Sequence, residues 1–273
     1  MLRFPQLLIT TGTIFALQAA AIGQIAIVGD LTHDRESRPG ETYAGFFFVR
    51  NEGSEPAEVK LYQTDYMFFS DGSNTYGEPG SVPRSNAHWI SFSLDRMTVP
   101  GKGSVRVEFT VNVPGDTAGA ALAGSYWSMV MVEGIPKGSM ESSLAPPSRG
   151  ELGIRQKLRY GIQVATHIAG TGQRSVQFLD ARVIKQDDGE RRLQVDIRNT
   201  GERWIRPEVY VELFDNNGVS KGRLPGSLFR MYPGTSVRQR ISLPTLPPGD
   251  YRAMVVVDAG DEDAFGAQYT ITF

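Results

Sequence analysis

Leu152-Gly153-Ile154-Arg155-Gln156-Lys157-Leu158-Arg159-Tyr160-Gly161-Ile162-Gln163-Val164-Ala165-Thr166 alternates almost without a break. Of the even positions from Leu152 to Val164, only Gln156 is polar, while the odd positions from Gly153 to Gln163 hold nothing but Gly, Arg, Lys and Gln. Successive side chains of a β-strand point to opposite faces, so the stretch reads as one long strand with a greasy side and a basic side. Residues 138–150 before it are rich in Ser, Pro and Gly and read as a loop. A long two-faced strand behind a loop suits pairing with a strand from a partner. It also suits an ordinary long strand of a β-sandwich, and the residues alone leave both readings open.

The same alternation recurs on both sides. Strand-like runs fall at 43–49, 57–62, 89–94, 104–111 and 125–132, and again at 175–184, 192–197, 208–214, 236–241, 251–257 and 269–273. No segment keeps a helical period beyond two turns; the Ala-rich 118–123 is short and flanked by Gly. The 30 Gly and 16 Pro fall between apolar runs, as in an all-β chain.

The two halves share punctuation. Val49-Arg50-Asn51-Glu52-Gly53 is matched by Ile197-Arg198-Asn199-Thr200-Gly201, each expected to end a strand in a turn because Asn and Gly tolerate positive φ. Val99-Pro100-Gly101 is matched by Tyr232-Pro233-Gly234, and Gly124-Ser125-Tyr126 by Gly249-Asp250-Tyr251. This weak duplication predicts two immunoglobulin-like β-sandwich domains, residues 24–168 and 173–273, joined at Ala169-Gly170-Thr171-Gly172. The expected core is Phe46, Phe48, Trp89, Phe109, Tyr126, Val130 and Val132 in the first. In the second it is Leu193, Val195, Ile197, Val209, Val211, Leu213, Val237, Ile241 and Val255.

The chain opens on Met1-Leu2-Arg3, followed by an apolar stretch ending in small residues. Ala21-Ile22-Gly23 fits a signal-peptidase site, so residues 1–23 read as a signal peptide cut before Gln24, with a cut after Ala21 as the near alternative. No other stretch is long and apolar enough to span a bilayer, and no Cys is present for a disulfide or a lipid anchor. A soluble exported protein is expected, periplasmic first and secreted or surface-attached second. The net charge of −2 argues against bulk attraction to nucleic acid.

Little points to catalysis. His33, His88 and His167 share no metal spacing and read as surface or strand-end residues. No Cys nucleophile, Gly-x-Ser-x-Gly elbow or phosphate-cradling loop is present. Asp258, Asp261, Glu262 and Asp263, and Asp65 with Asp71, read as solvated hairpin tips rather than a calcium loop. No enzyme, metal or cofactor is therefore expected. One aromatic cluster stands out: Tyr62, Tyr66, Phe68, Phe69 and Tyr76 crowd a hairpin around Asp71-Gly72, which either the second domain or a ligand must cover.

Two resemblances follow. Arg38-Pro39-Gly40-Glu41-Thr42-Tyr43, Val49-Arg50-Asn51, Val59-Lys60-Leu61-Tyr62, Asp65-Tyr66, His88-Trp89-Ile90 and Val99-Pro100-Gly101 resemble the N-terminal domain of exported partners of WxL-domain surface proteins. That likeness spans about residues 30–135 and implies a sandwich that binds peptidoglycan or a surface partner. Tyr126-Trp127-Ser128, Glu133-Gly134-Ile135-Pro136, the loop and the strand after it are similar to the periplasmic chaperones of chaperone–usher pili. In that family the strand lends alternating apolar side chains to an incomplete pilus subunit, and a Lys and an Arg hold the subunit's terminal carboxylate. The resemblance implies Lys157 for the Lys and Arg35 or Arg38 for the Arg; Tyr160-Gly161-Ile162 replaces the family's Tyr-Arg-Pro.

The expected function is thus a non-enzymatic periplasmic chaperone-like protein that binds an exported β-rich, pilus- or fimbria-like subunit by strand donation. Leu152, Ile154, Leu158, Tyr160 and Ile162 would face the partner, and Arg155, Lys157 and Arg159 would orient it. The alternative is a cell-envelope scaffold or adhesive module that holds peptidoglycan or a surface protein on the Tyr62–Tyr76 hairpin.

Overall fold

The computed structural model describes residues 25–115, 121–144, 158–187, 189–261 and 263–273. The first half runs through Ile25–Val28 (β1), Thr32–Ser37 (β2), Thr42–Asn51 (β3), Ala57–Phe68 (β4), Asn74–Gly77 (β5), Ile90–Phe92 (β6), Arg96–Val99 (β7), Ser104–Asn112 (β8), Gly124–Ile135 (β9) and Arg159–Ile168 (β10). The second runs through Val176–Lys185 (β11), Arg191–Asn199 (β12), Glu208–Phe214 (β13), Ser220–Pro225 (β14), Ser236–Ser242 (β15), Asp250–Asp258 (β16) and Ala264–Thr272 (β17). Among the described residues the one helical segment is a single 3₁₀ turn, Ala87–Trp89. The predicted signal peptide, residues 1–23, lies outside the described residues.

Each half is two sheets face to face. In the first, β1-β3-β8-β6 packs on β2-β10-β9-β4-β5, with β7 also paired to β4. In the second, β11-β12-β15 packs on β14-β13-β16-β17. Among the described residues no strand pairing crosses from β1–β10 to β11–β17. One core gathers Phe47, Val49, Val107, Phe109, Val130, Val132, Ile162 and Val164; the other gathers Leu193, Val195, Ile197, Val211, Leu213 and Val255. Interleaving the inner faces of two sheets in this way is what makes each half a sandwich. The expected all-β, two-sandwich architecture is the observed one.

The shared Asn-x-Gly motif does more than turn the chain. Asn51 and Asn199 are fully buried, and neither has positive φ, so the expected reason for the motif is corrected. Asn51 Nδ2 donates to the carbonyls of Glu55 (2.8 Å) and Val99 (3.1 Å), and its Oδ1 accepts from Gly53 N (2.9 Å). Asn199 Nδ2 donates to Arg203 O (2.8 Å) and Met231 O (3.0 Å), and its Oδ1 accepts from Gly201 N (2.9 Å). The side chain serves as a bracket for three backbone groups that would otherwise be buried unpaired.

Two core assignments in β3, Phe46 and Phe48, are off by one. Phe46 is 47% exposed and lies under the Arg106 guanidinium, 4.1 Å from the ring centre, while Phe47 is buried. The inward positions are Tyr43, Gly45, Phe47 and Val49, and Phe48 lies with Phe46 on the outer face, their rings 5.7 Å apart. Gly45 disguises the parity. It sits on the core side because the Phe109 ring occupies the space a Cβ would take.

Candidate partner-binding strand and interdomain cleft

β10 is the second-to-last strand of its sheet. On one side Arg159–Ile168 pairs antiparallel with β9 along its whole length, from Arg159 opposite Glu133 to Ile168 opposite Gly124. On the other side β2 pairs with it in parallel, but only from Gln163 (opposite Thr32) to Ile168 (opposite Ser37). Gly134 N donates to Leu158 O and Gln163 N to Leu31 O, which fixes the phase. Even residues turn their backbone groups toward β9; odd ones turn them outward. At Arg159 and Gly161 the outward N–H and C=O meet no strand, so among the described residues the sheet edge is open there.

The side chains divide as the alternation predicts, but not toward the predicted neighbours. Ile162 and Val164 are fully buried in their own domain's core, and Tyr160 packs against that core with its hydroxyl donating to Ile25 O (2.7 Å). Tyr160 and Ile162 were expected to face a partner; that expectation is corrected, because the first sandwich already covers them. Leu158 is half-buried. Leu152, Ile154, Arg155 and Lys157 lie outside the described residues. Arg159 is exposed and forms a 2.7 Å ion pair with Glu133, a buried carboxylate on β9 that also takes the Tyr62 hydroxyl (2.9 Å) and Lys60 Nζ (3.3 Å). Burial and this carboxylate together raise the Tyr62 phenol above its ordinary value.

The odd face of β10 continues into the joint with the second domain. Ala165 packs with Trp127 and Tyr232, whose rings stack 4.8 Å apart across the two domains. The Tyr232 hydroxyl donates to Gln163 Oε1 (3.2 Å), and burial pushes it up to about 12. His167 is buried, not a surface residue: its ring nitrogens meet Ser125 Oγ (3.0 Å) and Asp34 (3.3 Å). Arg230 of the second domain bonds both oxygens of Asp34 (2.7 and 2.6 Å) and lies over the Trp204 ring. Burial at Asp34 opposes ionisation, but the bonds from His167 and Arg230 outweigh it and lower its carboxyl. At the hinge itself, Gly124 and Gly172 have positive φ; a Cβ on Gly124 would overlap Glu202 O, and one on Gly172 would overlap Gly124. Backbone meets backbone here, with Ser125 N donating to Glu202 O (2.8 Å).

Above this floor a cleft of about 630 Å³ opens between the domains. Tyr66, Phe68 and Phe69 line one wall and Phe229, Arg238 and Arg240 the other. The second domain therefore covers part of the aromatic hairpin. Phe68 packs against both the joint and the second core, and Ser70 N donates to Ser236 Oγ (2.9 Å). Tyr62 is engaged by Glu133, and only Tyr76, at 61%, is freely exposed. The hairpin is thus partly covered by the second domain, with Tyr66 and Phe69 left lining the cleft.

The other candidates fall elsewhere. Arg35 lines a separate hollow of about 260 Å³ with His33, Tyr43 and Phe109, and Arg38 is an exposed turn residue capped through its backbone by Glu41 (2.9 Å). Lys157, which would complete a carboxylate anchor with either, lies outside the described residues. Among the described residues no His/Asp/Glu group has metal-site geometry. Asp261 and Asp263 are tied to Arg174 (3.0 and 3.2 Å), and the buried Asp65 organises residues 81–85 by accepting from Ser81, Val82 N and Ser85. The joint was the part the sequence reading missed; its one signal was Trp127 beside the shared Gly124-Ser125-Tyr126.

No protein-family model matches the chain, and no curated protein matches it. Solved structures similar to it include the class 5 fimbriae chaperone CfaA, at 12% identity over 90% of this chain and 98% of that chain, with a TM-score of 0.45. The E. coli chaperone DraB is similar at 14% identity over 90% and 98%, TM-score 0.42. A chain of the CsuC–CsuE chaperone-tip adhesion subunit pre-assembly complex of Acinetobacter baumannii is similar at 14% identity over 92% and 98%, TM-score 0.43. At these identities and TM-scores the likeness carries no conclusion about a partner of this chain.

Proposed function

We propose that this chain is a non-enzymatic, periplasmic chaperone-like protein that pairs β10 with a strand of an exported β-rich subunit and assists assembly of a surface structure. The observation that carries this reading is the open edge at Arg159–Ile162, directly downstream of a sequence that keeps the same alternation back to Leu152. Tyr160 and Ile162 belong to the parent core, so the donated side chains are those upstream on the same parity: Leu152, Ile154 and Leu158. The pairing of β9 with β4 ends at Ile135 opposite Glu58, so a partner-bound extension of β10 runs past the end of β9. There its even-numbered side chains have a subunit's groove to fill instead of their own sandwich. Each fully buried side chain contributes roughly 1.5–3 kcal/mol before the costs of association. The basic residues Arg155, Lys157 and Arg159 set orientation and encounter rate more than affinity.

The test is to purify the mature protein from its own host's envelope and weigh the intact complex by native mass spectrometry. A stoichiometric exported β-rich subunit is expected, and Ile154→Asp and Leu158→Asp abolish its capture while both domains stay folded. Undiminished capture by these variants sinks the reading.

A further inference from the structure

Two carboxylates almost removed from water hold the chain that follows β9 and the start of β10. Glu58 on β4 is 3% exposed and Glu133 on β9 is 2% exposed. Glu58 accepts hydrogen bonds from Ser142 Oγ (2.6 Å), Ser143 N (3.0 Å) and Ser143 Oγ, and these hold its carboxyl at about 2. Its partners are the residues where the chain departs. Glu133 holds the returning end. It lies opposite Arg159 in one register and opposite Lys60 in the other, so a cation–anion–cation row crosses three adjacent strands. Lys60 Nζ then reaches Glu141 Oε2 (3.0 Å), and Arg96 Nη1 donates to Glu141 O (2.6 Å), linking the two ends through one cluster.

A buried carboxylate is costly unless its lone pairs are filled, and stripping its partners leaves that cost exposed. Plain apolar residues at 58 and 133 would serve a sandwich whose only need was stability. Instead Glu58 bonds Ser142 and Ser143 of the chain after β9, and Glu133 bonds Arg159 at the start of β10 beside Lys60 and Tyr62. We infer that Glu58 and Glu133 are positioning residues for the partner-binding strand: they hold residues 141–144 and Arg159 against β4 and β9, keeping the start of β10 extended with its outward edge available. This inference rests on the reading of β10 as the partner-binding strand, and it names the groups that keep that strand ready.

The experiment is hydrogen exchange by mass spectrometry on the full mature protein without partner. Tyr160 and Ile162 turn their amides toward β9, so they report on the start of β10. In Glu133→Gln they are expected to exchange at least tenfold faster, and in Glu58→Gln the amides of 142–144 do so. Those of β12 and β16 hold their wild-type rates. Arg159→Ala and Ser143→Ala each remove one of these contacts from the exposed side and speed exchange of the same amides if a carboxylate variant does not fold. Unchanged exchange overturns the inference; so does a uniform rise across the first domain, the mark of ordinary stability loss. Because no partner is present, this result is independent of subunit capture. Local loosening with no subunit found leaves the clamp standing and removes the chaperone reading.

Discussion

The final hairpins of the two domains occupy matching places, since β9 begins on Gly124, β16 follows Gly249, and each places a Tyr near the strand start. They differ in what joins them to the last strand. β16 and β17 are linked by five residues, 259–263, closed by Asp263 N on Gly260 O and pinned by Arg174. β9 and β10 are linked by twenty-three, residues 136–158. A hairpin needs only a few residues to turn, and connections far beyond that length are where function concentrates. The two-sheet fold is kept in both halves, and the last connection is lengthened in one of them.

The comparison can be broken at its common feature first. If the Asn brackets are equivalent, Asn51→Ala and Asn199→Ala each strand three buried backbone groups and destabilise their own domain by about 3 kcal/mol. Urea unfolding followed by probes in each domain checks this, and a cost confined to one copy would mean the motifs are alike in sequence alone. Next is the joint. Arg230→Ala removes both bonds to Asp34 and the cation over Trp204, and is expected to cost about 1–2 kcal/mol, both side chains being partly exposed. Its signature is separation of two thermal transitions in calorimetry, where the wild type shows greater overlap. The smallest effect concerns acid. The Glu58 carboxyl is lowered to about 2, so its contribution is fully present above the ordinary carboxylate value and is lost as pH falls through about 2. The stability gap between wild type and Glu58→Gln should hold from pH 7 to about 5 and shrink below. A gap that stays constant down to about pH 2 would show the carboxyl to titrate no lower in the folded protein than in the unfolded chain.

Much of this was legible in the chain because strands announce themselves by parity. Every expected core residue of the second domain is buried, since its strands alternate cleanly between Val, Leu or Ile and polar residues. β3 failed because three consecutive Phe residues carry no phase and the inward Gly45 looks like a solvent position. Over the described residues 158–166 the even positions share one face, but a period of two says nothing about which body that face meets. At Ile162 it is the parent core. The joint and the two carboxylates were out of reach for a different reason. Asp34 meets Arg230, and Glu58 meets Ser143, across spans of sequence with no local pattern to connect them. Asn51 and Asn199 were noticed through their repetition, although their bonding was not foreseen.

The parallel pairing of β2 with β10 also orders the making of the molecule. β2 pairs with no other described strand, and its partner lies more than 120 residues downstream. Every pairing in the second domain is antiparallel, and β16 meets β17 across a short turn. Contacts between distant residues must first overcome the entropy of closing the intervening chain. The first sandwich therefore cannot be sealed until Ile168 is in place, and the strand proposed to serve another protein is the last that its own domain acquires.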